Sequence, residues 1–309
     1  MLTRFFSLLL APALFSVAQA ADPLAFAIVD HTTGYVLESV NPTKKLQIAS
    51  LTKIATAMVV LDWAESKKSD LGQQTTVPAS AANLGGTASG VGFQPGDRAS
   101  LRDLLYAALV QSDNQAAETM ADHVGRSLGT GAPVTEFVAQ MNALAGQLGM
   151  TQTRFLNPHG LDSLERTLPY STASDVAKLT KYAMSNAAFR FQVSQKERKI
   201  SFTSAAGEES QYLLRNTNEL LGMALIDGVK TGQSKRAGGC LVISAAKPPI
   251  SQTQADGKLL ITPRRLNVVV LGSSDRFRTA SGLLARGWQL YDEWAAAGRP
   301  MAKAKNASR

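Results

Sequence analysis

Apolar and polar positions change period several times along the chain, and each change marks a new element. Residues 23–40, "PLAFAIVDHTTGYVLESV", form two β-rich runs around a turn at residues 32–34, which predicts a hairpin. From Ser50 the spacing becomes helical, with Ile54, Met58, Val59, Leu61 and Trp63 on an expected buried face. A Gly- and Ser-rich connection at residues 71–97 reads as an ordered surface excursion. Two helices follow in "ASLRDLLYAALVQ" and "NQAAETMADHVG", separated by "SDN". Another fits residues 135–148 with Gly149 as its stop, and another fits "STASDVAKLTKYAMSN" with Ser and Thr as caps.

Past residue 190 the pattern turns to strands: "RKISFTS", "IDGVKTG", "GGCLVISAA" and "RRLNVVVLGS". Between the last two, "KPPISQTQADGK" reads as an exposed hairpin excursion, and from about Ser274 a closing helix fits the remaining apolar periodicity. The order of strands, helical block, strands and helix predicts one α/β unit whose N-terminal hairpin joins a C-terminal antiparallel sheet.

Composition changes this picture at the ends. Residues 1–20, "MLTRFFSLLLAPALFSVAQA", have an early arginine, an apolar stretch broken by Pro12 and a small-x-small close, the pattern of a cleaved export signal. The apolar run is short for a bilayer span. Removing it takes away Arg4 and no acid, so the net charge falls from +8 to +7. Residues 296–309 are expected to be a polar, basic, mobile tail. Export implies an oxidising compartment, yet Cys240 is the single cysteine, so no intramolecular disulfide is possible. Cys240 lies in an apolar run and reads as a buried hydrophobe. The positive charge is spread along the chain, which argues against a nucleic-acid footprint. His31 and His123 are isolated, and no HExxH or Cys/His cluster supports a metal or other cofactor.

Ser50 and Lys53 in "QIASLTK" are three positions apart at the expected start of a helix. Ser244 and Lys247 in "SAAK" share the spacing, so spacing alone selects neither. Company does: "SDN" (Ser112, Asp113, Asn114) and "KTG" (Lys230, Thr231, Gly232) each occur once, in order, downstream of Ser50. With "GFQPGD", "MNALAGQLGMTQTRFLNPHGLD" and "DGVKTG", the chain resembles the serine D-alanyl-D-alanine carboxypeptidases, the low-molecular-mass penicillin-binding proteins, over roughly residues 23–294.

The resemblance implies a β-lactamase/transpeptidase-like α/β fold: an antiparallel sheet flanked by helices, plus a mainly helical subdomain, over residues 21–295. It implies a periplasmic enzyme without a strong membrane anchor. Its substrates would be peptidoglycan stem peptides ending in D-Ala-D-Ala, and β-lactams would be covalent inhibitors. Ser50 would be the nucleophile, which needs a base. Lys53, one helical turn on, would be that base, kept neutral by burial and by a second cation, for which Lys230 is placed. Ser112 would pass a proton to the leaving amine, and Asn114 would hold Lys53 and the substrate amide. The KTG segment should be an edge strand that pairs with the peptide. Backbone N–H groups of Ser50 and Gln233 would form the oxyanion hole. Thr231 and Arg278, with Arg276 as its near rival, would bind the terminal carboxylate. His159 in "NPHGLD" is either a participant or a loop-orienting residue. Gln233 stands where this branch often has histidine, and the chain lacks the second, β-rich domain of many relatives.

Three other functions fit parts of the pattern. An endopeptidase acting on cross-links would use the same machinery. A class A β-lactamase needs a deacylating glutamate, and the nearest, Glu165 in "ERTLP", is followed by Pro169 where that family has asparagine. A penicillin-binding sensor would acylate without turnover, but no partner domain is visible.

Overall fold

The computed structural model describes residues 22–84, 90–162, 167–254 and 256–301. The expected export signal, most of the basic tail and Glu165 lie outside these residues.

β1 (Ala25–Asp30) and β2 (Val36–Val40) form the N-terminal hairpin. A 3-10 turn, Ala49–Leu51, leads into α1 (Thr52–Lys67). The connection after it contains β3 (Gln74–Thr76), a second 3-10 turn (Ala79–Leu84) and β4 (Arg98–Ser100). The helical block comprises α2 (Leu101–Val110), α3 (Asn114–Gly125), α4 (Pro133–Gln147), α5 (Ala173–Ser185) and α6 (Ala187–Val193). Then come β5 (Glu197–Thr203), β6 (Glu209–Arg215), β7 (Ile226–Ser234), β8 (Gly238–Thr253), β9 (Leu259–Ser273) and α7 (Arg276–Ala296).

The main sheet is antiparallel, in the order β2-β1-β9-β8-β7, so the hairpin does join the C-terminal strands. Alternation sorts its side chains by face. Phe26, Ile28, Leu241, Ile243, Leu266 and Val268 pack with Leu284, Tyr291 and Trp294 of α7. Ala27, Val29, Val242, Val269 and Leu271 belong to the larger core shared with the helical block. β7 is left at the edge, beside the turn that carries Ser50.

Several expectations need correction. Ser50 does not open α1; it sits in the 3-10 turn before it. That helix has no single apolar face: every residue from Thr52 to Leu61 is buried, because sheet and helices enclose it. β5 does not join the main sheet but a second one, β3-β4-β5-β6. α6 and β6 were not expected. The "AAFRFQV" of α6 is seven residues long, too short for a helical period to stand out, and its start is set by Asn186, whose side-chain oxygen accepts from Phe189 N at 3.0 Å. β8 does not end before Pro248 but continues through both prolines. β7 no longer pairs with β8 beyond Ala245, and the β8–β9 register skips from Lys247 to Ile250, so the missing N–H groups cost no central ladder bond. No described helix is long and apolar enough to cross a membrane.

Candidate active site

The turn that carries Ser50 is held from below. Ala49 has φ +46°, a conformation that β-carbon-bearing residues seldom adopt, and it swings Ser50 to the surface side of the turn. Lys53, one turn further on, is fully buried. Its Nζ lies 3.1 Å from Ser50 Oγ, 2.7 Å from Asn114 Oδ1 and 2.7 Å from the His159 carbonyl oxygen. The Asn114 and His159 oxygens can only accept, so they take two amine hydrogens. In a neutral amine the remaining position is the lone pair, and it faces the Ser50 hydroxyl. Burial lowers the Lys53 pKa to about 7, against an opposing pull from Asp113.

Lys230 is also buried and sits well below its ordinary value, first through desolvation and then through the positive charges of Lys53 and Arg276. Burial is the largest cause of the lowered value at both lysines.

The Ser112–Asn114 segment is the corner between α2 and α3. Ser112 has φ +69°, and Asn114 begins α3 with its amide turned onto Lys53. Sequence reasoning passed over the residue between them. Asp113 is buried and caps α3 by accepting from Ala116 N at 2.6 Å, while its other oxygen accepts from Val91 N at 2.7 Å. It thus fixes Asn114 and the approach of the preceding loop together. An acid immediately before a helix was the available signal.

β7 closes the opposite side. Lys230, Thr231 and Gly232 are buried, and a side chain at Gly232 would press on the Ser50 turn: a Cβ there would stand 2.8 Å from Ile48 O and 3.2 Å from Ser50 N. The Thr231 and Thr217 hydroxyls are hydrogen bonded at 2.6 Å. Of the two candidate arginines, Arg276 reaches this strand. Its Nη1 donates to Gly232 O at 2.9 Å and to Gln233 Oε1 at 3.1 Å. Arg278 is exposed, and its backbone N–H donates to the Asp275 cap of α7.

The loop around His159 supplies backbone. Asn157 Oδ1 accepts from Gly160 N at 2.6 Å, and Thr56 Oγ1 donates to Pro158 O at 2.5 Å. Gly160 has φ +80° and lies against Ala49 O, where a Cβ would be only 2.0 Å away. The His159 imidazole accepts from Leu161 N at 3.1 Å, so the ring orients the loop while its carbonyl meets Lys53. Burial, then the Lys53 charge, lower the ring's pKa to about 3. Asp162 ties the loop to β7 by accepting from Ser234 Oγ at 2.8 Å.

The second Ser/Lys pair does not converge. Ser244 is buried and accepts from Arg265 at 2.8 Å, whereas Lys247 lies over the Trp288 ring and near Asp292. Cys240 is buried in β8. Among the described residues no group of His, Cys, Asp and Glu is arranged to hold a metal. A cavity of about 550 Å³ between β1, β2 and α5 is lined by none of the candidate site residues.

Residues 16–253 match the family described as D-alanyl-D-alanine carboxypeptidase. The chain is 33% identical to the D-alanyl-D-alanine carboxypeptidase DacC of Escherichia coli (strain K12), over 93% of this chain and 68% of that one. It is 35% identical to the D-alanyl-D-alanine endopeptidase of Pseudomonas aeruginosa PAO1, over 70% of this chain and 64% of the relative. It therefore spans about two thirds of the length of these relatives. Among solved structures it is similar to a point mutant of the Streptomyces K15 DD-transpeptidase, with a TM-score of 0.73 and 28% identity, over 88% of this chain and 99% of that one.

Proposed function

The chain belongs to the D-alanyl-D-alanine carboxypeptidase family of serine peptidases, and from that premise we propose that it removes the terminal D-alanine from peptidoglycan stem peptides through an acyl-enzyme on Ser50. The observation that carries this reading is the arrangement of Lys53. Two fixed acceptors orient its amine, burial lowers its proton affinity, and its third position meets Ser50 Oγ at 3.1 Å.

Lys53 takes the Ser50 proton as Oγ attacks the scissile carbonyl. The backbone N–H groups of Ser50 and Gln233 stabilise the oxyanion. Ser112 returns the proton to the departing amine of D-alanine, and Asn114 holds Lys53 and the substrate amide. The peptide lies along the free edge of β7, with its terminal carboxylate against Thr231 and Arg276 rather than Arg278. Water, deprotonated through Lys53, then releases the acyl group. β-Lactams enter by the same attack and acylate Ser50. The work is done in the periplasm, after removal of residues 1–20, by a catalytic domain over residues 21–295.

The test is incubation of the protein with a D-Ala-D-Ala pentapeptide beside Ser50→Ala. Release of D-alanine by the wild type alone supports the proposal. A stable penicilloyl adduct without peptide turnover contradicts it, and so does rapid penicillin hydrolysis. The 35% identity to a D-alanyl-D-alanine endopeptidase favours a second reading, cleavage of cross-links by the same residues. Turnover of cross-linked dimers but not of pentapeptide selects that reading.

A further inference from the structure

Two glycines from different segments close on the turn that carries Ser50. Gly160, in the loop after α4, lies against Ala49 O, where a Cβ would be 2.0 Å away. Gly232 of β7 approaches the same turn, where a Cβ would stand 2.8 Å from Ile48 O and 3.2 Å from Ser50 N. Neither approach leaves room for a side chain, so backbone packs directly on backbone. Ala49, at the centre of the turn, has φ +46°. A residue with a β-carbon keeps that conformation only where its surroundings impose it.

Two residues beyond each glycine, the two segments are joined. Asp162 accepts from Ser234 Oγ at 2.8 Å, and among the described residues this is the hydrogen bond that links the loop to β7. Side chains two apart on a strand share a face, so Lys230, Gly232 and Ser234 are successive positions on one face of β7. Lys230 feels the charge of Lys53, Gly232 meets the Ser50 turn, and Ser234 holds the loop whose His159 carbonyl orients Lys53. Each partner is fixed on its own segment. Ser234 Oγ accepts from Ala237 N at 3.0 Å in the β7–β8 turn, which leaves its proton for Asp162. The Asn157 and Thr56 side chains bond Gly160 N and Pro158 O, and neither bond reaches β7. A carboxylate acceptor makes a hydrogen bond about twice as strong as a neutral one.

We propose that Asp162 and Ser234 are positioning residues, a clasp that presses Gly160 and Gly232 onto the turn and so keeps Ser50 Oγ at the Lys53 amine. The inference rests on the proposed role of Ser50 as nucleophile. Neither residue of the clasp touches the reacting atoms. With the bond broken, loop and strand move apart, Ala49 relaxes towards an ordinary conformation, and Ser50 Oγ leaves the amine. The proposed oxyanion donors, Ser50 N and Gln233 N, lose their common spacing in the same movement. Thr231 faces the other side of β7 and bonds Thr217, so the proposed seat of the substrate carboxylate stays as it is. The loss therefore falls on the acylation step and not on binding.

The test is stopped-flow acylation of the full chain by a fluorescent penicillin, which separates the limiting rate from the half-saturating concentration. Asp162→Ala and Ser234→Ala should each lower the limiting rate about tenfold, short of what a misplacement of about 1 Å can cost. The half-saturating concentration should stay within about twofold of wild type. The double variant should be no slower than the slower single one, because both substitutions break the same bond. Asp162→Asn keeps an acceptor and Ser234→Thr keeps the hydroxyl, so each should restore the rate to within about threefold of wild type. Losses that multiply in the double variant overturn the clasp. So does a loss carried by the half-saturating concentration, an Asp162→Asn variant as slow as Asp162→Ala, or single variants that react at the wild-type rate. If Asp162→Ala does not fold, Ser234→Ala against Ser234→Thr puts the same question. Failure of penicillin to acylate the wild type overturns the peptidase reading, and the clasp with it.

Discussion

Lys53 Nζ stands 3.1 Å from Ser50 Oγ with its other two contacts, Asn114 Oδ1 and His159 O, each at 2.7 Å. The two acceptors leave one direction free, and it is the direction of Ser50 Oγ, the proposed nucleophile. Lys53→Arg keeps a cation near this position but removes a readily neutralised amine. Acylation by a fluorescent penicillin should fall by about 10²–10⁴-fold, the range typical of a lost general base, while the circular dichroism spectrum is retained.

The pH dependence follows from the same burial. A base must be neutral to accept a proton, and the Lys53 pKa is lowered to about 7. The acylation rate should therefore rise with pH through about 7 and level off above it. Asp113 pulls that value upward, so Asp113→Asn should move the rising limb to lower pH. Stopped-flow acylation across pH 5.5–9, a span of about two units around the expected midpoint, measures both limbs.

Gly232 tests how closely β7 is fitted to the nucleophile. Gly232→Ala places a methyl against Ile48 O and Ser50 N, so the turn has to move away. A displacement of this order typically costs about 10²-fold in rate. Single-turnover acylation should show the loss with little change in melting temperature.

The hydroxyls of Thr217 and Thr231 are 2.6 Å apart, which fixes the rotor of Thr231. Thr217→Val should raise KM for a peptide with a free carboxylate severalfold and leave kcat near wild type, and Thr217→Ser should restore KM. Equal losses in both variants would assign Thr217 to packing alone.

Arg276 donates to Gly232 O and Gln233 Oε1, and the proposed function puts the substrate's carboxylate against it. Arg276→Ala should raise KM about 10- to 100-fold, the worth of a charged hydrogen bond. Arg278→Ala should change it little. Initial-rate kinetics on peptides with free and amidated termini decide this, because the Arg276 effect should vanish with the amide.

Much of this arrangement was legible in the residues. The hairpin, α1 to α5, α7 and the strand β7 followed from period and punctuation, because local pattern and final packing agree there, whereas the place of β7 at the sheet edge came only with the family resemblance. Other features were not legible, β6 and the second sheet among them. α6 is only seven residues long, too short to show a helical period, and its start rests on the Asn186 cap. His159 meets Lys53 through its backbone carbonyl, which no side-chain pattern records. Arg276 and Arg278 lie two positions apart near the start of α7, and only the direction in which each side chain leaves the helix separates them.

The central claim is that Ser50, and not the equally spaced Ser244, is the acylated residue. Intact protein treated with penicillin, digested with trypsin and sequenced by mass spectrometry, tests it directly. The adduct is predicted on the peptide covering residues 46–53, and none is predicted in Ser50→Ala. An adduct on any other peptide, or one that persists in Ser50→Ala, would contradict the account.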